Sequence, residues 1–440
     1  MLLVDADDLP SDQPMSTHFI QSYGMAILDE LGLGDKVRTI APPVPWFLNG
    51  TDGTPVWIEL PEGARPSCPR RHDLDGVLFE EVRAVGVEVR LRTRLVELVR
   101  EDGRVVGGVM EHAGRRETVR ADIVVGADGH NSTIAGLVGA EEYRHYDAPR
   151  AVYWGYWPRP TWYQDDPRYR GTALIVHVGD EFVFAFPTNR DQLVIGLAFP
   201  LTRLDEWRGR HRETLLRRLR GLHVTAPLIA GEPLGKVRGL VRAKFFFRQA
   251  VGPGWALVGD AGLFKDPMAG LGISDAFRDA RALSAAIVEG GDAALEHYWR
   301  ARDVQSIELF EFARSTGDPG YNNPFNRLVF ERLAASAELR RRIHAISQRE
   351  LSPFAAFTTR EVLGWVGSAL LRGRFDVLAG FLAASRRASQ VKAEVQARVA
   401  LAAAAERRAT ARASAPAGQP ATRSKPRDHA NGSPRGPCGM

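Results

Sequence analysis

Trp255-Ala256-Leu257-Val258-Gly259-Asp260-Ala261-Gly262, continuing through Asp266-Pro267-Met268-Ala269-Gly270-Leu271-Gly272 into Ile273-Ser274-Asp275-Ala276, decides how this chain is read. Four apolar residues followed by Gly259 predict a buried strand that stops abruptly. Asp260, just past the strand, offers a carboxylate that can only accept hydrogen bonds and therefore suits a ligand hydroxyl. Pro267 fixes a turn. Gly270 and Gly272, with Leu271 between them, let the chain lie flat against a ring. Residues 273–288 then have helical spacing, and the amides opening that helix face any negative charge that develops in front of them. A plain turn accounts for the glycines and the proline, but not for the whole ordered string.

Working outward, a second string has the same grammar. Ile123-Val124-Val125 reads as a buried strand and runs into Gly126-Ala127-Asp128-Gly129-His130-Asn131-Ser132. Small residues after a strand allow close approach to a phosphate, while Asp128, beside Gly129, is better placed to orient backbone amides or water than to touch phosphate. The alternative is a tight strand–helix turn with Ser132 as the cap. A third piece is Asp5, which closes the apolar run of residues 1–4. An acidic residue ending the second strand of a dinucleotide-binding fold accepts from ribose hydroxyls, although a strand-ending Asp is more often a turn or cap residue. Between residues 150 and 237 the pattern changes to consecutive strands, at 152–157, 173–178, 182–186 and 193–198. Residues 49–60 read as a hairpin, 22–33, 73–85 and 208–220 as helices, and helices dominate from 296 to about 405.

Asp5, the GADGxxS string at 126–132 and the GDAxxxxxPxxGxG string at 259–272 resemble three of the four fingerprints of the para-hydroxybenzoate-hydroxylase-like, class A FAD-dependent monooxygenases, in the same order and separation. Further likeness lies in Ser16-Thr17-His18-Phe19-Ile20-Gln21, in Pro69-Arg70-Arg71 before Leu74-Asp75, and in Gly252-Pro253-Gly254-Trp255. The resemblance covers about residues 1–320. It implies that Asp5 holds the adenosine ribose, that Arg71 lies near the flavin phosphates or ribityl chain, and that Asp128 and Gly129 serve the pyrophosphate and NAD(P)H. It further implies that Asp260 binds the ribityl chain, that Pro267, Gly270, Leu271 and Gly272 pack on the isoalloxazine, and that Gln21 and Gly259 are among the cofactor-binding residues. The sheet of residues 150–237 would roof the substrate, with Tyr153, Tyr156, Phe184 and Phe186 as candidate lining; ordinary core packing is the other reading of those four. The implied reaction uses NAD(P)H and O₂ to hydroxylate a small aromatic or polycyclic substrate through a flavin C4a-hydroperoxide. No side-chain nucleophile or metal is needed for it. A FAD-dependent reductase of the geranylgeranyl-reductase kind shares these fingerprints.

The resemblance has gaps. The GxGxxG turn, with its strand and helix of about 30 residues, does not occur, and its unit is expected upstream of Met1; failing that, the chain binds flavin poorly as a non-catalytic scaffold. Leu263 and Phe264 stand where the family commonly has His.

The fold class expected is α/β: a discontinuous FAD/NAD(P)-binding Rossmann-like domain (1–45, 68–148 and 238–300) with an inserted β-sheet substrate domain (46–67 and 149–237). A helical region (301–405) and a disordered basic tail (406–440) would follow. Of 440 residues, 44% are hydrophobic and 25% charged, ordinary for a globular chain. Only Cys68 and Cys438 are present, which argues against a disulfide framework and suits a reducing compartment such as the cytoplasm. No signal peptide is read at the N-terminus, and no apolar stretch approaches the about 18 residues of a membrane helix. From Arg386 onward there are 11 Lys/Arg against 3 Asp/Glu, which leaves the first 385 residues at −3 of the total +5. The basic character belongs to a tail without aromatic platforms, so nucleic acid is not an expected partner.

Overall fold

In the computed structural model, residues 1–11, 16, 18–51 and 53–413 are described. An α/β body carries an inserted β-sheet and a C-terminal set of helices. The body's parallel strands occur in pairs. Leu2–Val4 pairs with Glu88–Arg90, and Val124–Gly126 pairs with Trp255–Leu257. Among the described residues, Leu2–Val4 and Val124–Gly126 each keep one edge without a strand partner. A three-stranded antiparallel sheet, Thr93–Glu101, Arg104–His112 and Arg115–Arg120, leads into Val124–Gly126.

Gly126 explains how the central turn closes. A Cβ there would sit 2.7 Å from Leu257 Cδ2 and 2.9 Å from Ile134 Cβ, closer than carbon atoms approach. Its carbonyl accepts from Val258 N at 3.0 Å. The two glycine-ended strands therefore stop side by side, at the carboxyl edge where α/β folds bind ligands.

The inserted sheet has seven strands in the order Leu234–Leu240, Arg150–Pro158, Gln192–Pro200, Glu181–Thr188, Ala173–Val178, Trp46–Thr51, Thr54–Glu59. The early hairpin thus joins strands more than 100 residues later, and Trp46–Thr51 runs parallel to Ala173–Val178. Alternation sorts the side chains. Val152, Trp154, Tyr156, Phe182, Phe184 and Phe186 share one face with Phe19 and Met268. Ala151, Trp157, Val183, Ala185 and Phe199 share the other with Trp207 and Leu215.

Two helical expectations need correction. The helix predicted over 22–33 ends at Glu30, the chain turns at Gly32 with φ +72°, and a second helix occupies Gly34–Ile40. The tail expected to be disordered from 406 begins as helix: Val377–Ala413 is one element. Its run of Ala and Arg has high helix propensity, and Arg398 ties it to Asp303 at 3.0 Å. Residues 414–440, which hold the rest of the expected tail, lie outside the described residues. No described helix is long and apolar enough to cross a membrane.

Candidate cofactor site

The turn after Trp255–Leu257 sets the geometry. Asp266 accepts from Met268 N at 3.1 Å, which opens a short 3-10 turn at Pro267–Ala269, and Gly270 closes it with φ +61°. The helix Gly272–Glu289 starts at once, with no side-chain cap on its first amides. These free N–H groups concentrate positive potential at the turn.

Gln21 reaches this turn from the other side. Its Nε2 donates to Ala269 O at 3.2 Å, and its backbone N donates to Ser274 Oγ at 2.8 Å. Its Oε1 is buried without a partner. A narrow cleft of about 20 Å³ runs between Pro267–Gly270, Phe19 and Gln21 on one side and the sheet residues Phe182, Phe184 and Phe186 on the other. That volume holds about one water, so a ring-sized guest requires those side chains to part.

Asp260 follows the strand end and, among the described residues, makes no hydrogen bond. Burial raises its pKa to about 6, with Lys265 and Arg71 opposing and Asp275 and Asp279 adding. Arg71, at the start of helix Arg71–Ala84, is held by Asp75 at 2.9 Å and 3.1 Å. Burial in turn raises Asp75; Arg71 opposes that shift and Asp5 contributes to it. Asp5, Asp75, Arg71 and Asp260 are thus electrically linked along one side of the body. Asp5 Oδ1 accepts from Asp7 N at 2.9 Å, the turn role its position also suggested.

Asp128 orients amides. Its Oδ2 accepts from Thr133 N at 2.7 Å and Ile134 N at 3.2 Å, while Ser132 caps Ala135 N at 2.9 Å. Gly129 and Gly259 both have positive φ, +76° and +58°. His130 stacks on Phe264 with ring centres 4.6 Å apart, which joins the 126–132 and 259–272 segments directly.

The four candidate pocket aromatics separate. Phe184 and Phe186 line the cleft. Tyr156 lies on the same face but pairs its hydroxyl with His18 Nε2, under the Arg70 guanidinium at 4.4 Å. His18 Nδ1 accepts from Arg71 N at 3.2 Å, so Nε2 carries the ring proton and donates to Tyr156. Tyr153 is a correction. It points to the opposite face, stacked on Trp207 at 5.4 Å and 10° and near Phe199. The reason is the two-residue period: an odd-numbered residue of this strand cannot share a face with Tyr156. Phe182, two residues before Phe184, lines the cleft in its place, and the same period could have found it.

Behind the turn lies a buried charge cluster that no spacing rule announces. Asp275 sits within 2.5 Å of Lys265 Nζ and 3.1 Å of Arg278 Nη1, contacts Arg349, and accepts from Tyr23 at 2.8 Å. Burial disfavours its charge, yet Arg278, Arg349 and Lys265 hold it well below the ordinary carboxylate range. Burial pushes Lys265 down, with Asp275 opposing.

The residues fit FAD. An unpartnered carboxylate at the strand end, an orphaned buried amide oxygen at the turn and an uncapped helix start are what a molecule with hydroxyls, a ring N–H and developing negative charge requires. Comparison with known proteins agrees. The FAD binding domain family matches residues 1–313. Digeranylgeranylglycerophospholipid reductase 2 of Methanococcoides burtonii is 24% identical over 281 residues, 58% of this chain and 63% of that protein. The match thus spans less than two thirds of that relative. Kynurenine 3-monooxygenase of Salinispora arenicola is 27% identical over 350 residues, 74% of each chain. The structure of p-nitrophenol 4-monooxygenase PnpA from Pseudomonas putida superposes with a TM-score of 0.64 at 18% identity, covering 80% of this chain and 92% of that one. The matched fingerprints and the fit of the turn agree with the family match, and the chain belongs to the FAD binding domain family.

Proposed function

We propose that the chain is a FAD-dependent monooxygenase of the cytoplasm, using NAD(P)H and O₂ to hydroxylate a small aromatic or polycyclic substrate. The observation that carries this reading is the cleft in which the Pro267–Gly270 turn faces Phe182, Phe184 and Phe186. FAD, when bound, supplies the redox chemistry: it accepts a hydride and activates O₂.

The protein's part is positioning and electrostatics. Asp5 and Asp260 would accept from sugar and ribityl hydroxyls, and Arg71 would lie by the phosphates. Gln21 Oε1 would accept a ring N–H, and the first amides of Gly272–Glu289 would face the reduced ring's charge. Phe184 and Phe186 would exclude water and give an aromatic substrate a flat surface. The His18–Tyr156 pair would hold a proton at the Tyr156 hydroxyl, at the sheet side of the cleft.

The test is NAD(P)H oxidation by FAD-loaded protein with a panel of phenols, aerobically and without O₂. Monooxygenation requires O₂ and yields a product one oxygen heavier. The reductase reading, favoured by the similarity to the digeranylgeranylglycerophospholipid reductase, predicts turnover that persists anaerobically with an alkene substrate. A colourless preparation that takes up no added FAD would overturn both in favour of a binding scaffold.

A further inference from the structure

The sheet's other face carries the larger opening. A cavity of about 290 Å³ lies there, floored by Leu174, Val176 and Ala185. These residues alternate with Ile175 and Phe184, which line the cofactor-side cleft. One strand thickness separates the two spaces, and they open on opposite sides of the sheet.

Its walls are aromatic and mutually fixed. Trp57 and Tyr169 meet edge-on at 5.1 Å and 88°, and Trp162 and Tyr169 at 5.2 Å and 76°. Trp162 stands at the mouth, 38% exposed, with its Nε1 donating to Pro227 O at 3.3 Å. Perpendicular rings present one flat wall and one electropositive edge, the arrangement an aromatic guest prefers. The Tyr163 hydroxyl is already committed to Thr172 O.

Core packing does not explain the volume, which close-packed interiors avoid.

We infer that the outer face of the sheet holds a second small-molecule site, for a flat, mostly apolar aromatic compound packed against these rings. The site stands apart from the cofactor cleft and does not depend on the reaction proposed there.

The experiment is equilibrium dialysis of 2-naphthol, with naphthalene as the comparison, against the full chain with and without FAD. One saturable site is expected, unaffected by FAD. Ala185→Phe, filling the floor, and Trp162→Ala, removing the mouth's wall, should each weaken 2-naphthol at least tenfold. Naphthalene should bind within about threefold of 2-naphthol, because the aromatic walls hold both. Ile175→Leu, on the other face of the strand that carries Leu174 and Val176, should change neither. Near-ultraviolet circular dichroism checks folding, and Val224→Trp at the rim replaces Ala185→Phe if that variant unfolds. Absence of saturable uptake, competition by FAD, or binding that survives both cavity variants would overturn the site.

Discussion

The strand Glu181–Thr188 and the strand Val124–Gly126 are both rich in apolar residues, but they live in different surroundings. Every residue of the first is buried, whereas Val125 is 39% exposed and Val124 half-buried. The inserted sheet is packed on both faces, against Phe19 and Met268 on one and Trp207 and Leu215 on the other. The parallel pairs are less covered, although strands of that kind are ordinarily covered on both sides, and, among the described residues, Asp260 and Gln21 Oε1 stand without a hydrogen-bond partner at their carboxyl ends. Side-chain packing stabilises the sheet. The cofactor region depends on a buried charge cluster and on whatever binds.

The largest effect that would break this contrast comes from Asp275. Asp275→Asn leaves Lys265, Arg278 and Arg349 facing one another without their shared carboxylate, and removing one partner of a buried ion group costs about 3–5 kcal/mol. Trp157→Ala, at a side chain fully buried in the sheet, should cost a similar amount, about 3–5 kcal/mol, by loss of packing. Urea unfolding measures both. The difference lies in FAD affinity: Asp275→Asn should lower it and Trp157→Ala should leave it alone. Equal effects on affinity would mean that the two regions are one cooperative unit.

Ligand binding gives the next effect. FAD at a hundredfold excess over its Kd should stabilise the fold by about 2.7 kcal/mol. Hydrogen exchange should show the slowing concentrated in Val124–Gly126, Trp255–Leu257 and Pro267–Ala269 rather than in Glu181–Thr188. Uniform protection would erase the distinction drawn from their burial.

What could be read beforehand follows the same division. Gly126–Asp128 and Gly259–Asp260 were legible because each role is local: a strand ends, a small residue allows approach, a carboxylate follows. The sheet strands were legible from alternation, and the same two-residue period, counted from Tyr156, sends Tyr153 to the opposite face. The pairing of 46–51 with 173–178 carries no local mark. The same holds for His18 with Tyr156, 138 residues apart, and for Asp275 with Arg349, 74 apart. Such contacts are set by the tertiary fold, and neither propensity nor spacing encodes them.

Gly270 offers a smaller and sharper probe of the turn. It holds φ +61°, and a Cβ would meet Phe19 at 3.4 Å, ordinary contact that Phe19 can accommodate. Gly270→Ala therefore loses mainly through the left-handed backbone, about 1–2 kcal/mol. The loss should appear both in thermal unfolding and as weaker FAD binding, because the same turn shapes the cleft. A variant that unfolds earlier yet binds FAD unchanged would separate the turn from the cofactor.

The pH dependence of FAD binding tests Asp260 alone. Burial holds its pKa at about 6, against the pull of Lys265 and Arg71, so the folded protein keeps this proton where an unfolded Asp, near 3.9, has lost it. Stability contributed by the protonated group is therefore present below about pH 4 and lost as the pH rises through about 6, the reverse of a salt-bridged carboxylate. FAD acts in the opposite sense. Its hydroxyls donate, and an ionised carboxylate accepts more strongly than a protonated one. Affinity should accordingly rise about tenfold between pH 5 and pH 7, following the ionised fraction of a group with a pKa near 6. Asp260→Asn keeps an acceptor oxygen but cannot titrate, so it should flatten that step while remaining able to bind. If the step persists in Asp260→Asn, the titrating group is elsewhere and the strand-end carboxylate does not hold the ribityl chain.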